Sequence, residues 1–324
     1  MGYGVTSFVM LVLTRSDVEA LLDLDELAGA LARAHEELSS GAVSMPPRIA
    51  ATAPDGLLAA MPAYSPSAGL GCKLVTLFPH NAGRPTHQAA IVLLDSDNGT
   101  PVALMDGTYI TATRTAAAAA LAARLLARSD AQVLAILGSG VQARTHARAF
   151  AGMRDWTEMR IAGRDPAKAD ALAAELGATA CPSFEAAVRG ADVVAATTHS
   201  AEPIVQAEWV APGTHVSSIG YNAPGSELDP ALVRASTIVV ESRDSSFAPP
   251  PGGAPELADV DPASVAELGE LVSGSRRGRA TPAEITLYKS VGVAVQDLAA
   301  AALVLAAARE QGTGLEIELE EIHA

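Results

Sequence analysis

The stretch Leu134–Ala149, LAILGSGVQARTHARA, constrains this chain more than any other. The apolar run Val133–Leu137, rich in strand formers, leads into Gly138, Gly140 and Ala143 at the spacing G-x-G-x-x-A. A helical pattern then opens at Val141. Strand, glycine turn and helix in that order build a cradle for a pyrophosphate. Gly138 permits the tight turn. Gly140 lets the backbone approach the phosphates, and Ala143 keeps the helix close to the strand. The helix N-terminus adds N–H donors and a partial positive charge. The expectation is a dinucleotide site; the alternative is an ordinary strand-to-helix turn.

The flanking sequence supports the first reading. From Ala131 to about Glu241, expected strands at 133–137, 157–162, 192–197, 214–219 and 237–241 alternate with expected helices at 141–151, 166–176, 183–189 and 229–234. Such alternation means a parallel, doubly wound sheet. Residues before 112 read differently. Thr14 and Asp17 form a capping box for an amphipathic helix from about Ser16 to Leu38, with Asp23 as a possible break. Met45–Ala50, LLAAMPAY, GLGCKLVTLFP, HQAAIVLLD and PVALMDGTYIT follow as strands separated by turns such as Asp97-Asn98-Gly99. This is an α+β unit on a mostly antiparallel sheet. Arg114–Ala127 is a helix by its Ala and Leu content. Phe247–Pro255 is a long loop, and a helix is expected near 263–272. TLYKSVGVAVQDLAAAALVLAAARE reads as one helix of roughly 20 residues packing back on the first domain, and GLEIEL as a final strand. The expected division is 1–118 plus 286–324 for substrate and dimerisation, and 119–285 for the dinucleotide.

Bulk properties narrow the function classes. The 324 residues suffice for two cored domains. A formal charge of -15 argues against nucleic acid as a partner. Arg276, Arg277 and Arg279 read as a solvated basic loop. Cys72 and Cys181 form no C-x-x-C pair, which fits a reduced, cytoplasmic setting without a disulfide framework. The apolar N-terminal VTSFVMLVL is too short to span a bilayer and lacks a basic leader, so no membrane partner is expected. The seven histidines show no metal-ligand spacing, so no metal site is expected.

The chemistry-bearing residues fall in two groups. At the end of the second strand of the alternating series stand Gly163, Arg164 and Asp165. A basic residue there accommodates the 2′-phosphate of NADP, whereas an acid would hold the NAD ribose. Arg164 favours NADP, with Asp165 on the ribose as the alternative. Thr197 and Thr198 end a later strand, and the loop from Ile219 to Gly225 opens into the same crevice beyond the strand ends. In the first domain Arg48, Lys73 and Arg114 stand in apolar surroundings, with no acidic residue fixed near them in sequence. Buried cations need partners, and a bound carboxylate would serve. Surface or salt-bridged positions are the alternative for each.

These segments resemble the ornithine cyclodeaminase/μ-crystallin family. The resemblance runs through MPPRI (45–49), GCKLVTLFPHN (71–81), THQAAIVLLD (86–95), ALMDGTYITATRTAAAAALAARLLA (103–127), LGSGVQARTHARA (137–149), ADVVAATT (191–198), IGYNAPGSELD (219–229) and LYKSVGVAVQDLAAA (287–301). It implies an α/β fold in which a Rossmann-type doubly wound parallel sheet is inserted into an α+β substrate and dimerisation domain, and a homodimer. It also implies NAD(P)-dependent chemistry on amino acids and their imines. Carried over by motif, Arg48, Lys73 and Arg114 bind the substrate carboxylate, and Lys73 sits near the reacting nitrogen. Thr115 and the loop Gly138, Ser139, Gly140, Val141, Gln142 hold the pyrophosphate. His87 and Lys289 lie in motifs that approach the cofactor.

Two departures narrow the choice. Cyclodeaminases of the family carry an aspartate in the segment starting Ile219-Gly220; Asn222 aligns there, and an amide cannot take a proton at neutral pH. Glu227 lies further along and replaces it only in a different register. A glutamate that holds the distal amine of ornithine is replaced by Ala59. The expected activity is therefore NAD(P)H-dependent reduction of a small, cyclic α-imino acid, with Lys73 and Asn222 at the reacting centre. Met61, Tyr64, Phe78 and the Phe247–Pro255 loop set the pocket size. Alternatives are an amino-acid dehydrogenase or cyclodeaminase, and a crystallin-like protein that binds NADPH and a ligand without turnover.

Overall fold

The computed structural model describes residues 8–220 and 225–320. The chain opens with β1 (Phe8–Leu13), α1 (Arg15–Leu21), α2 (Leu24–Ser39), β2 (Ile49–Ala53), β3 (Gly56–Ser65), β4 (Gly69–Leu77), β5 (His87–Leu94), β6 (Pro101–Asp106) and α3 (Gly107–Leu126). Then come β7 (Val133–Leu137), α4 (Val141–Ala151), β8 (Glu158–Ala162), α5 (Pro166–Leu176), β9 (Thr179–Ala180), α6 (Phe184–Val188) and β10 (Val193–Ala196). β11 (His215–Ser218), α7 (Pro230–Ala235), β12 (Ser236–Val240), α8 (Arg243–Ser246), β13 (Ala266–Glu267), α9 (Leu268–Val272) and β14 (Ile285–Lys289) follow. α10 (Ala294–Gln311) and β15 (Leu315–Glu320) are last. Two compact units result, Met1–Arg114 with Val293–Ala324, and Thr115–Gly292.

The first unit holds a seven-stranded sheet in the order β15-β1-β6-β5-β4-β3-β2. All its pairings are antiparallel except β1 with β6. Side chains alternate across it, as the strand period requires. One face turns Ala59, Met61, Ala63, Lys73, Val75, Ile91, Leu93, Ala103 and Met105 inward. α10 lies against β3, β4 and β5 and against α2. The other face is apolar yet open: Leu58, Tyr64 and Leu74 are exposed, with Pro62, Cys72, Val92 and Leu104 half-buried in register beside them. Tyr64 thus sits on the opposite face from Met61 and Lys73, which removes it from the pocket expected in the sequence; an odd spacing along a strand reverses the side chain. The helix expected from Ser16 to Leu38 is two helices. Thr14 and Asp17 make the capping box of α1, and Asp23 caps α2 by accepting from the Asp25 and Glu26 N–H groups.

The second unit is an eight-stranded, wholly parallel sheet in the order β13-β12-β14-β11-β10-β7-β8-β9. Its short strands are buried on both faces, hence their continuous apolar reading. Leu134, Ile136, Val193 and Tyr288 pack against α3, Ala147 and Phe150. Ala135, Leu137, Val194 and Leu287 pack on the opposite face, with Val188 and Leu232. Three sequence expectations are corrected here. Ile285–Lys289 is a strand of this sheet, and the long helix starts only at Ala294, after a break at Gly292 with φ +75°. The helix near 263–272 is a 3-10 turn, a two-residue strand and the short α9. The arginine loop is not simply solvated: Arg276 donates to the carbonyls of Val265 and Ser264, and Arg279 to those of Leu126 and Glu284. Only Arg277 is exposed among them.

Candidate active site

Two constellations carry chemistry, one in each unit. In the second unit β7 ends at the turn foreseen in the sequence. Gly138 has φ +129°, and a Cβ there would lie 2.6 Å from Thr197 Oγ1, so both conformation and space require glycine. Gly140 is different. Its φ is -93° and a Cβ would meet nothing within 4 Å. It is the N-cap of α4, with no side chain bonded to the helix end. The first-turn N–H groups therefore lack a side-chain cap and the approach at Gly140 is open, the arrangement that suits a phosphate. A nicotinamide dinucleotide fits these residues. Val141 is exposed, and Ser139 packs over Gly163, where a Cβ would lie 3.2 Å from its Oγ.

The neighbouring strand ends are tied together. The Thr197 hydroxyl donates to the Leu137 carbonyl (2.7 Å) and the Thr198 hydroxyl to Glu227 (2.9 Å). Glu227 is fully buried and also accepts from the Ser218 hydroxyl (2.7 Å) and the Gly220 N–H (3.0 Å). Burial pushes its carboxyl pKa up, against the opposing pull of Lys289 and these donors. Lys289 is equally buried. Its ammonium donates to Ser218 (3.0 Å), the Gly220 carbonyl (2.7 Å) and Glu256 (3.0 Å). All three hydrogens of Lys289 thus engage protein acceptors, two of them on the strand end Ser218–Gly220. Ile219, between these anchors, packs on the core shared with α3 and α4. Arg164 is exposed, while Asp165 caps α5 by accepting from the Lys168 N–H (3.3 Å). Asn222 lies outside the described residues.

The first unit assembles the cations. β3 and β4 place Met61 directly opposite Lys73, both inward. Arg114 enters from α3. Between the two cations stands Asp297 of α10, which accepts from Lys73 Nζ (2.5 Å) through Oδ2 and from Arg114 Nε (2.9 Å) through Oδ1. No acid is near these cations in sequence, and the fold supplies one from a distant element, as the salt-bridged alternative required. Asp297 was within the quoted motif, as the one charged side chain of the run Ala294–Ala308, and that oddity was the available signal. Gln296 joins the group, its Oε1 accepting from Arg114 Nη1 (2.6 Å). Arg48 is half-buried at the start of β2, close enough for its charge to act on Lys73. Half-buried His87 starts β5 and feels both Lys73 and Arg114, so it stands with the cations of this unit. Thr115, the next residue on α3, is buried.

Electrostatics follow from this packing. Burial pulls the Lys73 pKa down to about 8; Asp297 opposes the shift and the Arg114 and Arg48 charges add to it. Burial alone would raise the Asp297 carboxyl, but Arg114 and Lys73 reverse it and hold the group below the usual range. Burial and the two cations lower His87 to about 4, leaving it neutral near pH 7. Arg114 keeps Nη2 without a protein acceptor among the described residues. Lys73 and Arg114 share the single Asp297 carboxylate, which leaves this triad with a net positive charge while Lys73 holds its proton. Among the described residues no cluster of potential metal ligands occurs, and no helix is long and apolar enough to cross a membrane.

Comparison with known proteins gives a consistent picture. The profile of the ornithine cyclodeaminase/mu-crystallin family matches residues 8–312. Ketimine reductase mu-crystallin of Mus musculus is 40% identical over 255 residues, 77% of this chain and 80% of that protein. The structure of Thermococcus litoralis Delta(1)-pyrroline-2-carboxylate reductase, in complex with NADH and L-proline, superposes with a TM-score of 0.89 at 34% identity, covering 95% of this chain and all (100%) of that one. An archaeal alanine dehydrogenase dimer with bound NAD gives 0.90 at 33% identity, covering 96% and 100%. With its parallel dinucleotide-type sheet, its Asp297-bridged cations and this match over nearly the whole length, the chain belongs to the ornithine cyclodeaminase/mu-crystallin family.

Proposed function

We propose that this protein is a nicotinamide-dependent reductase of small α-imino acids, forming the α-amino acid. The observation that carries the reading is the Lys73–Asp297–Arg114 cluster: a buried ammonium beside a guanidinium with donors to spare. Arg114, with Arg48, binds the substrate carboxylate, and Met61 lines the same face. The bound cofactor supplies a hydride from nicotinamide C4 to the imine carbon. Lys73 holds a proton at Nζ below about pH 8 and gives it to the imine nitrogen, so that one C–H and one N–H bond replace the C=N π bond. Solvent returns the proton to Lys73. Ala59, inward on β3, offers no carboxylate for a distal amine, and Asn222 offers no base. Both favour reduction over cyclodeamination. The ketimine and pyrroline-2-carboxylate reductases among the relatives support the same reaction class.

NADPH is the finer part of the reading. Arg164 is exposed beyond β8, while Asp165 is engaged in capping α5. The named structural relatives hold NADH and NAD, so Arg164 alone supports the phosphate-bearing form. The open apolar face around Leu58 and Leu74 is proposed to bury against a second copy, as exposed apolar sheet faces require. Leu74→Glu should then convert a dimer to a monomer in analytical ultracentrifugation; a wild-type monomer would sink this part. The cytoplasm is the proposed compartment, since Cys72 and Cys181 are both free thiols.

The deciding experiment follows cofactor oxidation by absorbance, with NADPH and NADH separately. The substrates are pyrroline-2-carboxylate, piperideine-2-carboxylate, and pyruvate with ammonia. Turnover of a cyclic imine without ammonia supports the proposal, and a fall in the NADPH/NADH ratio on Arg164→Ala supports the cofactor assignment. Activity confined to pyruvate plus ammonia would make the protein an amino-acid dehydrogenase. NADPH binding without turnover of any substrate would make it a binding protein.

A further inference from the structure

The cation cluster does not end at Asp297. Gln296 is fully buried, and the side of its amide away from Arg114 meets His35 of α2, with Nε2 and the His35 Nε2 2.9 Å apart. His35 too is fully buried. The donor directions in this chain are set by its chemistry. A guanidinium only donates, so the amide oxygen of Gln296 must face Arg114 Nη1. The amide NH2 therefore faces His35 and donates, which makes His35 Nε2 the acceptor and puts the ring proton on Nδ1. Arg114 is then held at two atoms, Nε by Asp297 and Nη1 by Gln296, with Nη2 left over.

We propose that His35 and Gln296 are positioning residues, which orient the Arg114 guanidinium so that Nη2 meets the substrate carboxylate. This rests on the reading of Arg114 as a carboxylate ligand. It adds that the ligand's geometry is set from α2, two side chains away. Without the acceptor at His35, the Gln296 side chain loses its anchor on α2, so its oxygen is no longer held in line with Nη1. A guanidinium held at Nε alone can swing, and a bidentate or aimed hydrogen bond is lost.

The test uses pyrrole-2-carboxylate, a planar ring carboxylate, titrated by calorimetry into the cofactor-loaded protein, together with KM and kcat for pyrroline-2-carboxylate. Gln296→Met and His35→Phe should each weaken binding of the probe about tenfold and raise KM more than they lower kcat. Cofactor affinity should stay within about twofold in both. His35→Gln, which can again offer an acceptor oxygen, should recover most of the loss. Should His35→Phe fail to fold, Gln296→Met and His35→Gln carry the test. Probe affinity unchanged in Gln296→Met, or a parallel loss of cofactor affinity, would overturn the proposal. A wild-type protein that binds the probe but reduces no imino acid would remove the reductase reading and leave the positioning role to be judged by the same titration. A wild-type protein that does not bind the probe would remove both.

Discussion

Lys73 is the residue whose behaviour follows most directly from its surroundings. Its pKa of about 8 lies well below the ordinary lysine value because burial and two neighbouring arginines outweigh Asp297. The cationic, proton-bearing form is therefore lost as pH rises through about 8 in the substrate-free protein. We expect kcat/KM to show an alkaline limb near pH 8, where an ordinary lysine would hold its charge beyond pH 10. Lys73→Arg cannot lose its proton, so its limb should disappear from that range. Its kcat should fall roughly 10²-fold or more, because proton donation is lost. A pH–rate profile of the two proteins checks both statements; an unchanged limb in the variant would assign it to another group. Asp297 shows why the cluster was only half legible. Lys73 and Arg114 stand out as cations in apolar runs, but their counter-ion lies 224 and 183 positions away along the chain. No local pattern links positions so far apart.

At the scale of elements, the turn between β7 and α4 separates structural from functional glycine. Gly138→Ala meets both a positive φ and the Thr197 hydroxyl, and should destabilise the protein by roughly 1–3 kcal/mol. Gly140→Ala meets nothing. It should leave the denaturation midpoint unchanged while weakening dinucleotide affinity, because the added methyl occupies the phosphate approach. Chemical denaturation alongside fluorescence titration with NADPH distinguishes them, and equal stability losses would contradict this division. This turn and the strands β7, β8, β10, β11 and β12 were legible because strands buried on both faces read as short apolar runs punctuated by glycine turns and caps, whereas the two-residue β9 carries no such run. β14 was not. Its run ITLYK continues into the equally apolar α10, and periodicity cannot divide two apolar segments. The division is made by Gly292 and by Glu241, whose carboxylate accepts from the Val291 and Gly292 N–H groups. Likewise, the register that puts Tyr64 outside and Met61 inside depends on which face α10 covers.

For the molecule as a whole, acid sensitivity should be pronounced. His146 and His215 are fully buried in the second unit, and burial lowers them to about 4 and about 3. On unfolding each regains an ordinary histidine pKa near 6.5. Between that value and the folded one the unfolded chain binds the proton and the folded chain does not, so stability falls as pH falls through the window. Each contributes a slope of about 1.4 kcal/mol per pH unit. Urea denaturation at pH 7 and pH 5 should show the loss, and His146→Gln should reduce its slope; equal midpoints at the two pH values would refute it. The division of the chain has another consequence, which concerns time. Thr115–Gly292 is one uninterrupted segment, whereas the first unit is written in two pieces. During synthesis the second unit can close as soon as its last strand leaves the ribosome. The first unit must wait for α10 and β15, with Lys73 and Arg114 lacking their carboxylate until Asp297 emerges. The part of the protein made first is thus the part that finishes last, and for that interval its inner sheet face depends on chaperones or on speed.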